Sequence, residues 1–181
     1  MINQNKQLYK METIHLLSTD SFLDKAVISE DVNALIVKKV LQNAQSIKMQ
    51  SLLGTKLYNK ILTLVSGGTI GDGGNAVYKT LLDEYILPVI QFEGYYKLLL
   101  HLHAQVTDKG AQTRSGEYSN AIDMNGLKLL RAEAKNDSEF YANLLVVFIC
   151  DNVNDYPEYN DSSIGIEANK KPFFSGIYFD K

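Results

Sequence analysis

Two long stretches of helical periodicity dominate this sequence and limit the folds open to it. Apolar residues recur every three or four positions over residues 76–107 and again over residues 124–154, which predicts two amphipathic helices. At 1.5 Å per residue each helix would be roughly 45–50 Å long if continuous. Their similar length and the connecting loop favour an antiparallel pair. We therefore predict an all-α helical bundle with two long antiparallel helices, long loops and an extended C-terminal arm.

Local signals place the helix ends and breaks. Ser29 is a suitable N-cap for a first helix that runs to about residue 49, and Gly54 separates it from a shorter helix over 55–65. Asp123 is the expected N-cap of the last helix. Pro88 predicts a kink or a break because it removes one helical hydrogen bond. Asn136–Ser138 is the weakest point of the last helix, where we expect a split.

The pattern divides the chain into three parts. Residues 1–28 form a weakly patterned N-terminal extension with a short strand near residues 13–17. Residues 29–155 form the helical bundle domain, and residues 156–181 form the extended C-terminal arm. The arm is rich in aromatic residues but has too few apolar residues for a core of its own.

The C-terminal arm supplies the predicted partner-binding residues. The four helices can cover one another without it, so its aromatic side chains are free to serve a neighbouring protein, and strand addition would satisfy its backbone. We expect the arm to be ordered by contacts outside its own bundle. The residues assigned to this interface are Tyr156, Tyr159, Phe173, Phe174, Ile177, Tyr178 and Phe179.

Composition excludes several classes of protein. The net charge of -3 argues against a dedicated nucleic-acid binder. No apolar run approaches the ~20 residues of a membrane span, and the N-terminus has no signal pattern. The single cysteine, Cys150, lies in the most apolar run of the chain, which predicts a buried small side chain rather than a reactive thiol. We expect a protein made and kept in the cytoplasm.

The candidate ligand-binding motifs are incomplete. The glycine-rich loop over residues 66–75 lacks the Gly-Lys-Ser/Thr ending of a phosphate loop, because Gly74 is followed by Asn75. We interpret it as a mobile connector. His101 and His103 are two positions apart and point about 200° from each other on a helix, so we expect one inward and one outward side chain rather than a metal pair. The sequence predicts no metal and no cofactor.

A long polar loop joins the two long helices. It exceeds the usual length of bundle connections, and long loops tend to be functional or disordered. Lys109 and Arg114 are suited to an acidic partner or to nucleic acid in a channel, with Glu117 in the same loop. A solvated loop explains the same residues equally well. No catalytic motif supports an enzyme acting through this loop, so we predict that the protein is not an enzyme.

Three stretches together resemble a known family. They are Gln50–Tyr58, Asp108–Gly110 and Asn152–Tyr159, the last with its Tyr-Pro-Glu-Tyr sequence. In this order they resemble the head–tail connector (adaptor, or ring) proteins of tailed bacteriophages, especially phages of gut Bacteroidetes, including crAss-like phages. The resemblance covers about residues 30–160.

The resemblance implies a structural role in a virion. Copies would form a homo-oligomer, a dodecameric ring between portal and tail that continues the DNA channel. Its partners would be the portal protein and the next tail or ring protein, with transient non-specific contact with passing DNA. It would be located at the head–tail junction of the virion after synthesis in the host cytoplasm. The alternative is a helical protein-binding or regulatory module that uses its aromatic C-terminal tail.

Overall fold

The computed structural model describes residues 14–26, 32–107, 110–113, 123–161 and 163–170. Within them helices dominate, which confirms the all-α class. The helices are α1 (Thr19–Lys25), α2 (Ala34–Asn43), α3 (Gln50–Ser66), α4 (Ala76–Thr80), α5 (Leu87–His103) and α6 (Met124–Asp151). Wider π turns join α2 to α3 and α4 to α5, at Ala44–Met49 and Leu81–Ile86. Short 3-10 turns lie at Gly73–Asn75, Val153–Asp155 and Pro157–Asn160.

One antiparallel hairpin interrupts the helical architecture of the described residues. Strand β1 (Ala104–Thr107) pairs with β2 (Gly110–Thr113), with Ala104 opposite Thr113. Helix α5 therefore ends at His103 and not near residue 107 as predicted, because residues 104–107 pair with β2.

The two long helical segments are antiparallel, as predicted. Tyr85 stacks on Phe148 with ring centroids 3.9 Å apart, and Phe92 stacks on Tyr141 at 4.9 Å. Farther along α5, Tyr96 lies under the Arg131 guanidinium at 4.5 Å. From residue 85 to residue 96 on the first segment, the contacting residues on α6 run backwards from 148 to 131. This order shows that the two segments are antiparallel. Such pairs give each helix a fixed register against the other.

The core fills the space between α2, α3, α5 and α6. Burying a large aliphatic side chain contributes about 1.5–3 kcal/mol, so these contacts supply most of the stabilisation of the bundle. The largest fully buried side chains are Phe22, Met49, Leu53, Leu57, Ile61, Leu81, Ile86, Ile90, Leu98, Leu145, Ile149 and Tyr156.

The N-terminal cap of α6 is the predicted residue, whereas the N-terminal cap of α2 is not. Asp123 accepts a hydrogen bond from the Gly126 amide at 2.7 Å and caps α6, as predicted. Helix α2, the first of the predicted bundle helices, is capped by Asn33, whose side chain accepts a hydrogen bond from the Leu35 amide at 2.9 Å. The prediction that Ser29 caps it is wrong, because α2 begins at Ala34; Ser29 itself lies outside the described residues.

Pro88 and Asn136–Ser138 behave differently, although both were expected to interrupt a helix. The π turn at Leu81–Ile86 directly precedes Pro88, which is one ordinary way for a helix to accommodate a proline. By contrast α6 runs unbroken through residues 136–138, so the predicted split is wrong. Ser138 is fully buried there and donates a hydrogen bond to Glu93 on α5 at 3.0 Å. Since the polar side chain is satisfied, the helix continues.

The described part of the N-terminal extension belongs to the core. Ser18 caps α1, and Phe22 on that helix is fully buried. Residues 14–17 form no strand, which corrects the prediction near residues 13–17. Their backbone pairs instead with a side chain: Gln45 accepts from the Leu16 amide and donates to the Ile14 carbonyl, each at 2.8 Å.

Candidate interaction site at the C-terminal segment

The helical hydrogen bond that is lost at a kink in α3 is replaced by the C-terminal segment. Gly54 has φ 73° and ψ 162°, which interrupts the helix. In a regular helix the Thr55 amide would donate to the Ser51 carbonyl. Here the Thr55 amide donates to the Ile166 carbonyl at 2.9 Å, and the Ser51 carbonyl accepts from the Asn169 amide at 3.0 Å. We call this contact between residues 51–56 and residues 161–169 the C-terminal clasp.

Two glycines make the close approach in the clasp possible. A Cβ atom on Gly54 would lie 3.0 Å from the Ala168 amide nitrogen. A Cβ atom on Gly165, whose φ is 78°, would lie 2.3 Å from the Thr55 hydroxyl oxygen. Positive φ already disfavours other residues at both positions. The clasp therefore requires glycine in both of the segments that meet there, at residue 54 in α3 and at residue 165 in the C-terminal segment.

The side chain of Thr55 lies at the centre of the clasp. Its hydroxyl oxygen accepts from the Ile166 amide at 2.7 Å and from the Gln50 side chain at 3.2 Å. Thr55 thus binds the backbone of Ile166 through both its amide and its hydroxyl. Because the bonds come from neighbouring atoms of one residue, they fix the direction in which the segment crosses α3.

An ion pair extends the clasp toward the last helical turn. Lys56 pairs with Asp161, which also accepts from the Ser163 amide at 3.0 Å. The hydrogen bonds from Lys56 and Ser163 lower the pKa of the Asp161 carboxyl to about 2. Both side chains are partly exposed, so the pair contributes little stability and mainly orients the chain.

The tyrosines that precede the clasp are part of the core of their own chain. Tyr156 donates to the Val77 carbonyl at 3.0 Å and meets Tyr78 edge to face, with ring centroids 5.7 Å apart. Tyr78 donates to the Glu158 carboxylate at 2.9 Å. Burial is the main cause that raises the pKa of Tyr78 and of Tyr156 to about 12. These phenols therefore stay protonated and keep their hydrogen bonds well above neutral pH.

The burial of Tyr159 and of Cys150 is the opposite of what the sequence predicted for each. Tyr159 is buried, and its hydroxyl donates to the Asn169 carbonyl at 3.5 Å. Burial, and secondarily the nearby Cys150, raise the pKa of the Tyr159 phenol. Cys150 is exposed, so the prediction of a buried cysteine is wrong. It lies in the last turn of α6, close to Tyr159, and its apolar sequence context does not reveal that it is exposed.

Tyr156 and Tyr159 were predicted to bind a partner protein, and the structure shows instead that they are buried in their own chain. Their side chains are 1% and 3% exposed within a single chain and leave no surface for another protein. The boundary of the predicted arm moves accordingly, because residues 156–161 and 165–169 contact the bundle. The other assigned residues, namely Phe173, Phe174, Ile177, Tyr178 and Phe179 in the tail and Lys109, Arg114 and Glu117 in the loop, lie outside the described residues.

An apolar stripe on α6 was missed by sequence reasoning. Leu129, Phe140, Leu144 and Val147 are between 41% and 73% exposed. With 3.6 residues per turn they lie within about 60° of one another, on the side opposite the buried face. We call this surface the α6 stripe. The helix carries apolar residues on two sides, and packing against α5 buries the side opposite the stripe.

A groove lies between α6 and the clasp. It has a volume of about 180 Å³ and is lined by Lys48, Ser51, Leu52, Glu139, Ala142, Asn143, Val146 and Asn169. Asn169 is therefore next to the middle of α6, and Lys170 follows it at the end of the described C-terminal segment. The chain leaves the clasp beside the helix that carries the α6 stripe.

Residues 49–168 match the sequence profile of a family of unknown function, DUF6712. The match covers well over half of the 181 residues. The chain belongs to the DUF6712 family. The two ends of the DUF6712 region meet in space, because Gly54 near its start contacts Ala168 at its end. The clasp thus joins the beginning of the DUF6712 region to its end.

The part of the chain that the structure describes shows no metal centre and no membrane-spanning helix beside the clasp. No curated protein and no solved structure shows a significant match to the chain. Among the residues that the structure describes, no helix is long and apolar enough to cross a membrane. The same residues contain no group of three or more His, Cys, Asp or Glu side chains placed to hold a metal ion. His101 is exposed and His103 half-buried.

Proposed function

We propose that this DUF6712 protein is a structural virion subunit, one copy of a ring between portal and tail that acts as a head–tail connector. The proposal combines the resemblance of three sequence stretches to such connectors with one structural observation. The clasp holds the chain just before the aromatic sequence of residues 171–181, and an exposed apolar stripe lies on α6. A subunit that combines an aromatic sequence segment with an exposed apolar face is suited to self-association.

The resemblance and the fold support each other at the clasp. Two of the three resembling stretches, Gln50–Tyr58 and Asn152–Tyr159, lie against each other, since the turn at Pro157–Asn160 packs on α3. In this proposal the packing of these two stretches holds the C-terminal segment in place for assembly.

The antiparallel helices suit the wall of a ring. The stacked pairs between α5 and α6, together with the buried bond between Glu93 and Ser138, fix the two helices in one register. A rigid wall can continue a DNA channel and offer a platform to the portal on one side and the next tail component on the other. In this proposal Lys109 and Arg114, which come directly before and after β2 in the sequence, line the channel. The net charge of -3 would let passing DNA slide.

The mass of the assembly tests the proposal. We expect the full chain to form a closed oligomer, measured by native mass spectrometry as a fixed multiple of 20.3 kDa. A chain that ends at Lys170 should lose the oligomer while its helical circular dichroism stays nearly unchanged. A matched control keeps the full length but replaces Phe173, Phe174 and Tyr178 by serine, and it should behave like the truncated chain.

Two results would overturn the proposal. A full chain that is strictly monomeric and fails to bind a portal protein would contradict a connector role. A monomeric chain whose tail captures a protein unrelated to a virion would favour the alternative, a helical protein-binding module.

A further inference from the structure

The α6 stripe has no contact within the described residues that explains it. It runs from Leu129 to Val147, a distance of about 27 Å at 1.5 Å per residue. Phe140, Leu144 and Val147 follow one another along this solvent-facing line, whereas the exposed Glu133 and Asn136 separate them from Leu129. Three large neighbouring apolar side chains differ from the single exposed leucines that any surface carries. Such a stripe calls for an occupant of similar length and apolar character.

The end of the chain meets both requirements. Residues 171–181 follow Lys170, and five of these eleven residues are the apolar residues Phe173, Phe174, Ile177, Tyr178 and Phe179. At about 3.3 Å per residue they can reach up to roughly 36 Å, which exceeds the length of the stripe. Asn169, two residues before them, lines the groove with Glu139, Asn143 and Val146 of α6.

Charge is consistent with the same pairing. Asp151 is exposed and lies on the stripe's side of the helix, one turn beyond Val147. The tail begins with Lys171, whereas its other end carries both Asp180 and Lys181. Opposite charges at the rim of an apolar contact favour one register over others.

We infer that the receptor surface for the aromatic tail, residues 171–181, is the outer stripe of α6. The inference rests on the proposed function, in which the tail is an association element, and it names the surface that the tail binds. In the free subunit the tail binds its own α6, because a short tether gives an effective concentration in the millimolar range. In the ring the neighbour's tail takes the same surface, as in exchange of an identical element between protomers.

Disulfide trapping in the full chain tests this inference. Cys150, the single cysteine, lies beyond Val147 at the end of the stripe away from Leu129, so it is replaced by serine. Two cysteine pairs are then introduced in separate variants, Asn136→Cys with Phe174→Cys and Glu133→Cys with Tyr178→Cys, because residues 133 and 136 are exposed on the stripe's side of α6. A bond forms only when the two Cα atoms come within about 7 Å. We expect mild oxidation to trap at least one variant, as an intrachain bond in dilute protein and an interchain bond in the ring.

The control variants change the stripe without changing the cysteines. Phe140→Asp with Leu144→Asp should lower the trapping rate about tenfold or more, since each 1.4 kcal/mol of lost contact is a factor of ten. Leu35→Asp on α2 is the matched control, because Leu35 is as exposed as Phe140, and it should leave the rate unchanged. If neither tail cysteine is trapped, or if trapping ignores the stripe substitutions, the inference is wrong.

The two proposals fail in distinguishable ways. Stripe-dependent intrachain trapping in a protein that stays monomeric at all concentrations would support the receptor surface and overturn the ring. A closed oligomer whose trapping does not depend on Phe140 and Leu144 would support the ring and overturn the receptor surface.

Discussion

Two glycine-bearing regions of this protein differ sharply in what their glycines do. In the clasp, Gly54 and Gly165 both have positive φ, and each lies in close contact with the opposing segment of the same chain. In the loop over residues 66–75, a Cβ atom added to Gly68, Gly71, Gly73 or Gly74 would meet nothing within 4 Å. The loop has five glycines, of which Gly68 alone has positive φ, whereas both clasp glycines combine positive φ with a close contact to the opposing segment.

The difference shows that the density of a residue type says little about its importance. The loop was the more conspicuous motif in the sequence, because clustered glycines suggest a phosphate site. It is closed by local hydrogen bonds, such as that from the Asn75 side chain to the Thr69 carbonyl at 2.9 Å. The clasp glycines are isolated in sequence and separated by over a hundred residues. Their role follows only from the close approach of two backbones.

Gly54→Ala should have the largest effect. Its φ and ψ fall in a region that is essentially restricted to glycine, and the new Cβ would press on the Ala168 backbone. We expect the free energy of unfolding to fall by about 3 kcal/mol, from the backbone strain and the overpacking together. Urea unfolding followed by circular dichroism measures it. A loss below about 1 kcal/mol would show that the clasp tolerates a side chain at the kink.

Gly165→Ala should have the next largest effect, about 2 kcal/mol. The atoms it would meet belong to the Thr55 side chain, which can shift, and residue 165 is exposed. The loss should therefore be local. Hydrogen exchange should speed up at the amides of Ile166 and Asn169 and stay unchanged in α5. Faster exchange throughout the bundle would contradict a local clasp.

Thr55→Val should cost about 1 kcal/mol, because it removes the acceptor of the Ile166 amide and keeps the shape. Thr55→Ser is the matched control, since it retains the hydroxyl. Chemical unfolding of the two variants side by side separates the hydrogen bond from the packing. Equal stability of the two would mean that the hydroxyl contributes nothing.

Acid should loosen the clasp slightly and in a defined range. The pKa of Asp161 is lowered from 3.8 to about 2 in the folded chain, so its contribution is present above about pH 4 and is lost as the pH falls toward 2. The effect should be small because the pair is exposed. Asp161→Asn should remove this part of the pH dependence. Unfolding curves of both proteins between pH 5 and pH 2 test the expectation, and parallel curves would contradict it.

Gly71→Ala should have the smallest effect and the opposite sign. Gly71 is not among the glycines with positive φ, and its added Cβ has open space. Alanine restricts the unfolded chain, so stability should rise by about 0.5 kcal/mol. A clear loss in thermal unfolding would show that this loop is constrained in a way that its contacts do not reveal.

The sequence predicted the local features of the fold but not how they meet. The all-α class, the antiparallel long helices, the Asp123 cap and the break at Gly54 follow from periodicity and from single-residue chemistry, which act over a few positions. The orientation of α6 about its axis did not follow. Apolar residues occupy both of its sides, and only packing against α5 decided that Ala134 is buried and Leu144 exposed.

For the candidate site the division between sequence and tertiary structure is sharper. The sequence by itself identified an aromatic end that lacks a core, and it placed a glycine break at residue 54. Tertiary structure alone decided that Tyr156 and Tyr159 turn inward and that Cys150 turns outward. It alone brought the interrupted turn of α3 to the chain's last described residues. The physical reason is range: hydrogen bonds between residues more than a hundred positions apart leave no periodic or local signature in the sequence.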